Sequence, residues 1–593
     1  MLANAIGSLI DVRSPRRALL LAALLCAPLA VLAAPLLVAN NQSLAVLQAV
    51  HIDGGSIVNS VHEVVSQPPY INQNIGFHTK VYGWTYNTCL IGIFAFLEHA
   101  TGLSFQSYFF VYATLAKCVS FAFSLGSAVL LLLLARRVFR NGHAAAAATV
   151  LGLASYPFLT YVFLIHPDPA GLFFSLGMFL CVHRFLEVRS SRSYLAAVLC
   201  FALAVLAKQP FALGIIPLVA AYFLAHRGVE PLPKMFLRRK HWMMALHSAG
   251  VGLAALLIVH PFALFDFENF RAAQSYMLHC HAGAAGASRL ANARAWIIDC
   301  FLRDGMVTIG FAASLLTIIY SAQPALASRR LLRLIGLYNV VYLAWLAWGV
   351  SPACEPMYFY PVYPFLALIS VETARLFVLR LRAAGEDWKK FAWGAATAGA
   401  CITILSATAW HLAVATSHAA STLAYAATNQ SYVANLVSLA HGNESQNVLY
   451  SCSLAIAPKE YAYSVNTFSV DGEIQEVCDK LNLDLIVLDL QQGWRYESEL
   501  KPADSRAPLP CEYVIPKQYP QYLGIAGLRS ASFAKCWTVL KSDFRRLSGG
   551  GRDFDENAPC AKIFSRRPIP MLEPFRKPAI EATAATGGAS NSR

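Results

Sequence analysis

Residues 107–140 read SYFFVYATLAKCVSFAFSLGSAVLLLLLARRVFR, and this stretch decides the fold. From Ser107 to Ala135 the only charge is Lys117; then Arg136, Arg137 and Arg140 arrive together. A helix needs roughly 20 mostly apolar residues to cross hydrocarbon. Lys and Arg collect on the cytoplasmic side, because translocating them is unfavourable. The segment therefore reads as a membrane span that enters the cytoplasm at Arg136. The whole chain agrees: of 593 residues, 57% are hydrophobic and 13% charged. A soluble protein carries about 25% charged residues, so too little charge is present to cover a water-exposed surface.

Working outward, the pattern predicts eleven spans. The first runs from Ala18 to about Val38, with no charge between Arg17 and Asp53. Ala33 and Ala34 resemble a signal-peptide cleavage site, but the apolar stretch exceeds the usual h-region of about 7–15 residues, which favours retention. The others are 107–135, 143–164, 169–187, 194–208, 211–226, 243–265, 305–323, 332–350, 359–379 and 391–414. The stretch 86–103 is apolar but short and carries Glu98 and His99, so it reads as an interfacial or re-entrant helix. With the amino terminus inside, 22 Lys and Arg fall on cytoplasmic segments, against about six on the other side before residue 417. The net charge of +14 is thus topogenic, and a nucleic-acid partner is excluded.

The expected organisation is a cytoplasmic 1–17, a transmembrane catalytic domain 18–416 with a large outer loop 40–106, an extracytoplasmic α/β domain 417–576 and a disordered tail 577–593. LDLIVLDL, from Leu483 to Leu490 after Asn482, suits a buried strand following a helical pattern around Glu473–Leu481. Five cysteines (Cys452, Cys478, Cys511, Cys536, Cys560) make one or two disulfides plausible there, with the pairing open. Asn41, Asn429 and Asn443 head glycosylation triplets.

Ionisable residues at membrane depth are costly and tend to be functional. On the outer side they gather from separate segments: His51 to Gly55, His62-Glu63, His78 to Trp84, His166-Pro167-Asp168-Pro169, Lys208-Gln209-Pro210 and Glu355 to Pro361. Each has a plainer reading. Asp168 can cap the following helix, Lys208 can snorkel, and Asp53 can mark a loop. His51, His62 and His78 fit no standard zinc spacing. Together, on one face, they suggest a site.

The order of these motifs resembles the GT-C glycosyltransferases, polytopic enzymes that take sugar from a polyprenyl-phosphate carrier, and within them the protein mannosyltransferases and lipid A aminoarabinose transferases. The resemblance covers about residues 15–415. It implies a catalytic Asp53, just past the first span, as the base that deprotonates the acceptor hydroxyl. It aligns Lys80 with a phosphate-binding lysine, and Lys208 and Tyr360 with further donor-binding positions. Asp168, His166, Glu63, Glu355 and His78 become supporting or acceptor-orienting groups. Two departures stand out: Asp53-Gly54 replaces two adjacent acids, and Thr79 replaces the acid before the loop lysine. No cofactor is fixed; the resemblance leaves room for a divalent cation (Mg or Mn) on Asp53 and Asp168. The implied activity is a single inverting transfer to a lipid, glycan or protein acceptor. The resemblance implies a setting in a bacterial inner (plasma) membrane, among its lipids, with the site on the periplasmic face. The rival classes are a transporter or flippase and a lipid-linked polysaccharide ligase or polymerase.

Overall fold

The computed structural model describes residues 27–31, 33–44, 46–47, 52–139, 141–227, 230–282, 289–302, 304–320, 327–350, 356–383, 387–423, 429–441, 448–451, 462–465, 484–489, 511–516 and 559–576. They divide into two compact units, a helical one that includes 53–423 and a second that includes 424–521.

The helical unit is a polytopic membrane fold. Among the described residues six helices are long and apolar enough to span: Phe109–Val138, Asp168–Val188, Gln209–His226, Arg239–Val259, Ala327–Gly349 and Lys390–Thr416. Gly142–Leu153, Ser191–Ala207 and Gly305–Ile319 are shorter apolar helices at other expected spans. Tyr363–Ala383 is long enough but carries Glu372, Arg375 and Arg380. We label α1 Ile52–Ser66, α2 Phe77–Val81, α3 Trp84–Ala95, α4 Phe109–Val138, α5 Gly142–Leu153, α6 Tyr156–Tyr161, α7 Asp168–Val188, α8 Ser191–Ala207 and α9 Phe267–Ala282.

One expectation is corrected. The single span over 143–164 is two helices, α5 and α6. Ser155 caps α6 by accepting from the Phe158 amide at 3.4 Å, and Pro157 sits in its first turn. A side-chain cap and a proline without an N–H both favour a fresh helix start. The region 40–106 is also largely helical. In α1, buried Ile57, Val58, Val61, Val64 and Val65 form one apolar stripe, leaving Asn59 and Glu63 on another face. The stretch around 86–103 is α3 followed by a π turn, Phe96–Ala100, shorter than a span.

The core lies where α7 meets later helices. Phe179 packs Tyr338 and Phe365 with ring centroids 5.7 and 4.9 Å apart. By contrast Leu246, Leu253 and Ile258 on Arg239–Val259 are exposed, as a lipid-facing helix requires.

The second unit holds a mixed five-stranded sheet: β1 Val448–Ser451, β2 Ala462–Val465, β3 Leu485–Asp489, β4 Cys511–Pro516 and β5 Pro559–Ser565, in the order β2-β1-β3-β5-β4. Strands β1, β2 and β3 run parallel, and β5 is antiparallel to β3 and β4. The apolar run expected as a strand is β3. Val433 and Val437 of helix Asn429–His441 share a core with Leu485, Val487, Tyr513 and Ile563. Cys511 is a free, buried thiol. Cys452, Cys478 and Cys536, the Cys560 side chain, the helical pattern at 473–481, Asn443 and the tail 577–593 lie outside the described residues.

Candidate active site

The site forms where α1 and α7 begin and α8 ends. Asp168 opens α7, and Pro167 precedes it without a side-chain cap. The Asp168 carboxylate does not cap its own helix; it turns to two partners. His166 Nδ1 lies 2.5 Å from Asp168 Oδ2, and the Lys208 ammonium, at the end of α8, donates to the same oxygen. His166 Nε2 stands 3.4 Å from Asp53 Oδ2, in the first turn of α1. One imidazole thus bridges two carboxylates from different helices. Exposure grades across the bridge: the Asp53 side chain is 39% exposed, His166 and Asp168 3% each.

Surrounding residues fix this bridge. The His166 amide donates to Ser120 Oγ on α4 at 3.2 Å, and Tyr161 stacks on the imidazole with centroids 4.5 Å apart. Tyr360 packs edge-on against Tyr161 at 4.9 Å, which puts it in an aromatic wall behind the charged groups. Tyr82 follows α2 and donates its hydroxyl to Asp53. Lys208 sits over the Tyr82 ring, 5.8 Å from its centroid. Burial, then the nearby Asp53 and Asp168, hold the Tyr82 hydroxyl well above its ordinary pKa, so it stays protonated and remains a donor. His78 meets the edge of Tyr82 at 5.8 Å; burial lowers its pKa, with Asp53 opposing and His166 adding to the fall.

The Tyr82 segment is pinned from two sides. Gln209 and Gln274 side-chain amides donate to the Val81 carbonyl at 2.7 and 2.9 Å. Gly83 follows with φ +82°, a left-handed conformation open to glycine. A Cβ there would stand 3.2 Å from Asn87 Nδ2 and 3.3 Å from the Pro167 Cβ.

The structure therefore brings together Asp53, His166, Asp168, Lys208 and His78, with Tyr360 behind them. Lys80 makes no ion pair within 4 Å among the described residues; its charge acts on Glu63, which Asn59 Nδ2 holds at 2.7 Å. Burial raises the Glu63 pKa, with Asn59, His62 and Lys80 opposing. His62 belongs to another cluster, 2.8 Å from Glu98 and stacked on Phe105. Glu355 and His51 lie outside the described residues. Asn41 is buried and donates to Leu37 O and Thr114 Oγ1, so it is not available as a glycan acceptor. Tyr82, Tyr161, Ser120 and Gln274 were not singled out from sequence; only Tyr82 had a signal, its place two residues after Lys80.

A divalent cation does not suit these residues. The Asp168 oxygen facing His166 already takes an ammonium, and among the described residues no three His, Cys, Asp or Glu side chains form a ligand set. Bringing a dication against Lys208 would add like-charge repulsion.

Residues 109–264 match the family described as dolichyl-phosphate-mannose-protein mannosyltransferase. The resemblance read from the motif order thus meets a glycosyltransferase family match across the segment that carries His166, Asp168 and Lys208. Among solved structures the chain is similar to ArnT from Cupriavidus metallidurans bound to undecaprenyl phosphate: 13% identity, TM-score 0.43, covering 84% of this chain and 96% of that one. It is likewise similar to ArnT from Cupriavidus metallidurans in the apo state, at 12% identity and TM-score 0.43, covering 78% and 90%. No curated protein matches the chain.

Proposed function

We propose that this protein moves a sugar from a polyprenyl-phosphate carrier to an acceptor hydroxyl on the extracytoplasmic face, by one inverting displacement. The observation that carries the reading is the convergence of Asp53, His166, Asp168 and Lys208 at one end of the bundle. Such a transfer needs a base for the acceptor and a cation for the phosphate that departs. Asp53 is the base: it is the most exposed member of the bridge. Asp168 neutralises Lys208, which leaves Lys80 to face the phosphate while Lys208 holds Asp168 in place. The acceptor oxygen attacks the anomeric carbon, its proton passes to Asp53, and the electron pair of the breaking bond goes to the phosphate oxygen. The polyprenyl chain lies in the lipid beside the helices.

The test is donor affinity and single-turnover transfer in purified, lipid-reconstituted protein, with Asp53→Asn beside the parent. Alkaline phosphatase fused after residue 420 checks the sidedness: an active fusion agrees with an extracytoplasmic carboxyl-terminal domain, and an inactive one with a working cytoplasmic reporter refutes it. Mass spectrometry of envelope glycans from a deletion strain identifies the sugar and acceptor.

A further inference from the structure

We infer that His166 is a proton relay: it takes from Asp53 the proton that Asp53 receives from the acceptor. The inference rests on the transferase reading above and adds a second proton transfer to it.

The geometry assigns the two ring nitrogens different work. Nδ1 faces Asp168 Oδ2 at 2.5 Å, and a carboxylate that already accepts from Lys208 can only accept again. Nδ1 also lies 3.4 Å from the Asp168 amide nitrogen, but the contact with the carboxylate is far shorter and charge-assisted, so Nδ1 carries the proton and donates to Oδ2. In the neutral ring Nε2 then holds a lone pair, and it faces Asp53 Oδ2 at 3.4 Å. An aspartate alone is a weak base for a hydroxyl. With the relay, the acceptor O–H bond breaks, its proton reaches an Asp53 oxygen, and a proton leaves Asp53 for His166 Nε2. Asp53 is again a carboxylate, and the imidazolium lies against Asp168, as a buried carboxylate orients and stabilises the histidine of a hydrolytic triad. No oxidant, metal or further reactant enters the balance.

The surroundings suit a relay better than a simple strut. His166 is too buried to touch substrate, so it acts through Asp53. The Ser120 hydroxyl and the Tyr161 ring fix its plane. Among the described residues the charged and titratable groups around it include Asp53 from α1, His78 and Tyr82 from the α2 segment, Tyr161 stacked on the ring from α6, Asp168 from α7 and Lys208 from the end of α8.

The test measures single-turnover transfer in mixtures of H2O and D2O, for the parent, His166→Asn and His166→Gln. Asn keeps a donor near Nδ1 and loses Nε2; Gln reaches toward Asp53 but takes no proton. The expected result is a curved dependence on deuterium fraction in the parent, from two moving protons. Both variants should show a linear one, with rates lower by roughly 10²-fold and parental donor affinity, which also shows them folded. A linear parent profile overturns the relay even if neither variant folds. So does a variant that keeps the parental rate. A parent that binds donor and transfers nothing overturns the transferase reading, and the relay with it.

Discussion

Two buried carboxylates in the helical unit, Asp168 and Glu230, hold the same kinds of partner in different ways. Asp168 binds an ammonium and an imidazole, Lys208 and His166. Glu230 binds Arg238 at 2.7 Å, His241 at 3.1 Å and the Lys240 ammonium. All partners of Glu230 lie within 11 residues along the chain, so the cluster closes a local turn. Arg238 and Lys240 are more than half exposed, and His241 goes on to the Tyr222 hydroxyl at 2.6 Å. Lys208 lies 40 residues from Asp168, and beyond His166 the network reaches a second carboxylate open to solvent. One cluster holds a loop shut; the other links two helix starts to an exposed group. Composition alone would have ranked them equal.

The largest expected effect separates the two directly. Asp53→Asn should lower single-turnover transfer by at least roughly 10²-fold with donor affinity unchanged, whereas Glu230→Gln should leave the rate at the parental value. An Asp53→Asn protein that transfers at the parental rate removes Asp53 as base.

Stability should divide the clusters next. Asp168→Asn strands the Lys208 ammonium, and losing one partner of a buried pair costs about 3–5 kcal/mol. Thermal unfolding in detergent should show it, with Asp168→Asn/Lys208→Met recovering part. An Asp168→Asn midpoint equal to that of Glu230→Gln would erase the contrast.

Lys80→Ala should weaken donor binding as well as turnover. Lys80→Arg should restore only part, because a planar fork and a compact ammonium present different geometry. Equal donor affinity in all three proteins would take Lys80 away from the phosphate.

The smallest effect is a pH dependence. Hydrogen bonds from Lys240 first and His241 next pull the Glu230 carboxyl down to about 2. A depressed folded pKa adds stability that is complete above the unfolded value of 4.5 and fades as pH falls toward 2. Thermal midpoints of the parent should drop through that window more steeply than those of Glu230→Gln.

The membrane class, the positions of most long apolar helices and the strand at Leu485–Asp489 were legible because apolar runs and basic clusters are strong, local signals. Asp53, Asp168 and Lys208 were legible for the related reason that charge stands out against apolar sequence. The break at Ser155 carried a signal, the Ser155 cap with Pro157 two residues on, but the unbroken apolar run across 143–164 outweighed it. Tyr82 and Tyr161 read as ordinary aromatic content, and their roles depend on what they meet. Gln274 lies 193 residues from the carbonyl it holds, and nothing in spacing or composition announces such a pairing.

Gly83 carries a consequence for anyone who would re-engineer acceptor choice. Its missing side chain lets the Tyr82 segment lie against Pro167, beside the two residues that flank it in the bridge. Libraries that randomise 82–84 together with 165–169 should return active clones only with glycine at 83. The left-handed backbone at 83 ties the two segments together, so new specificities are expected from residues that reach the acceptor from elsewhere.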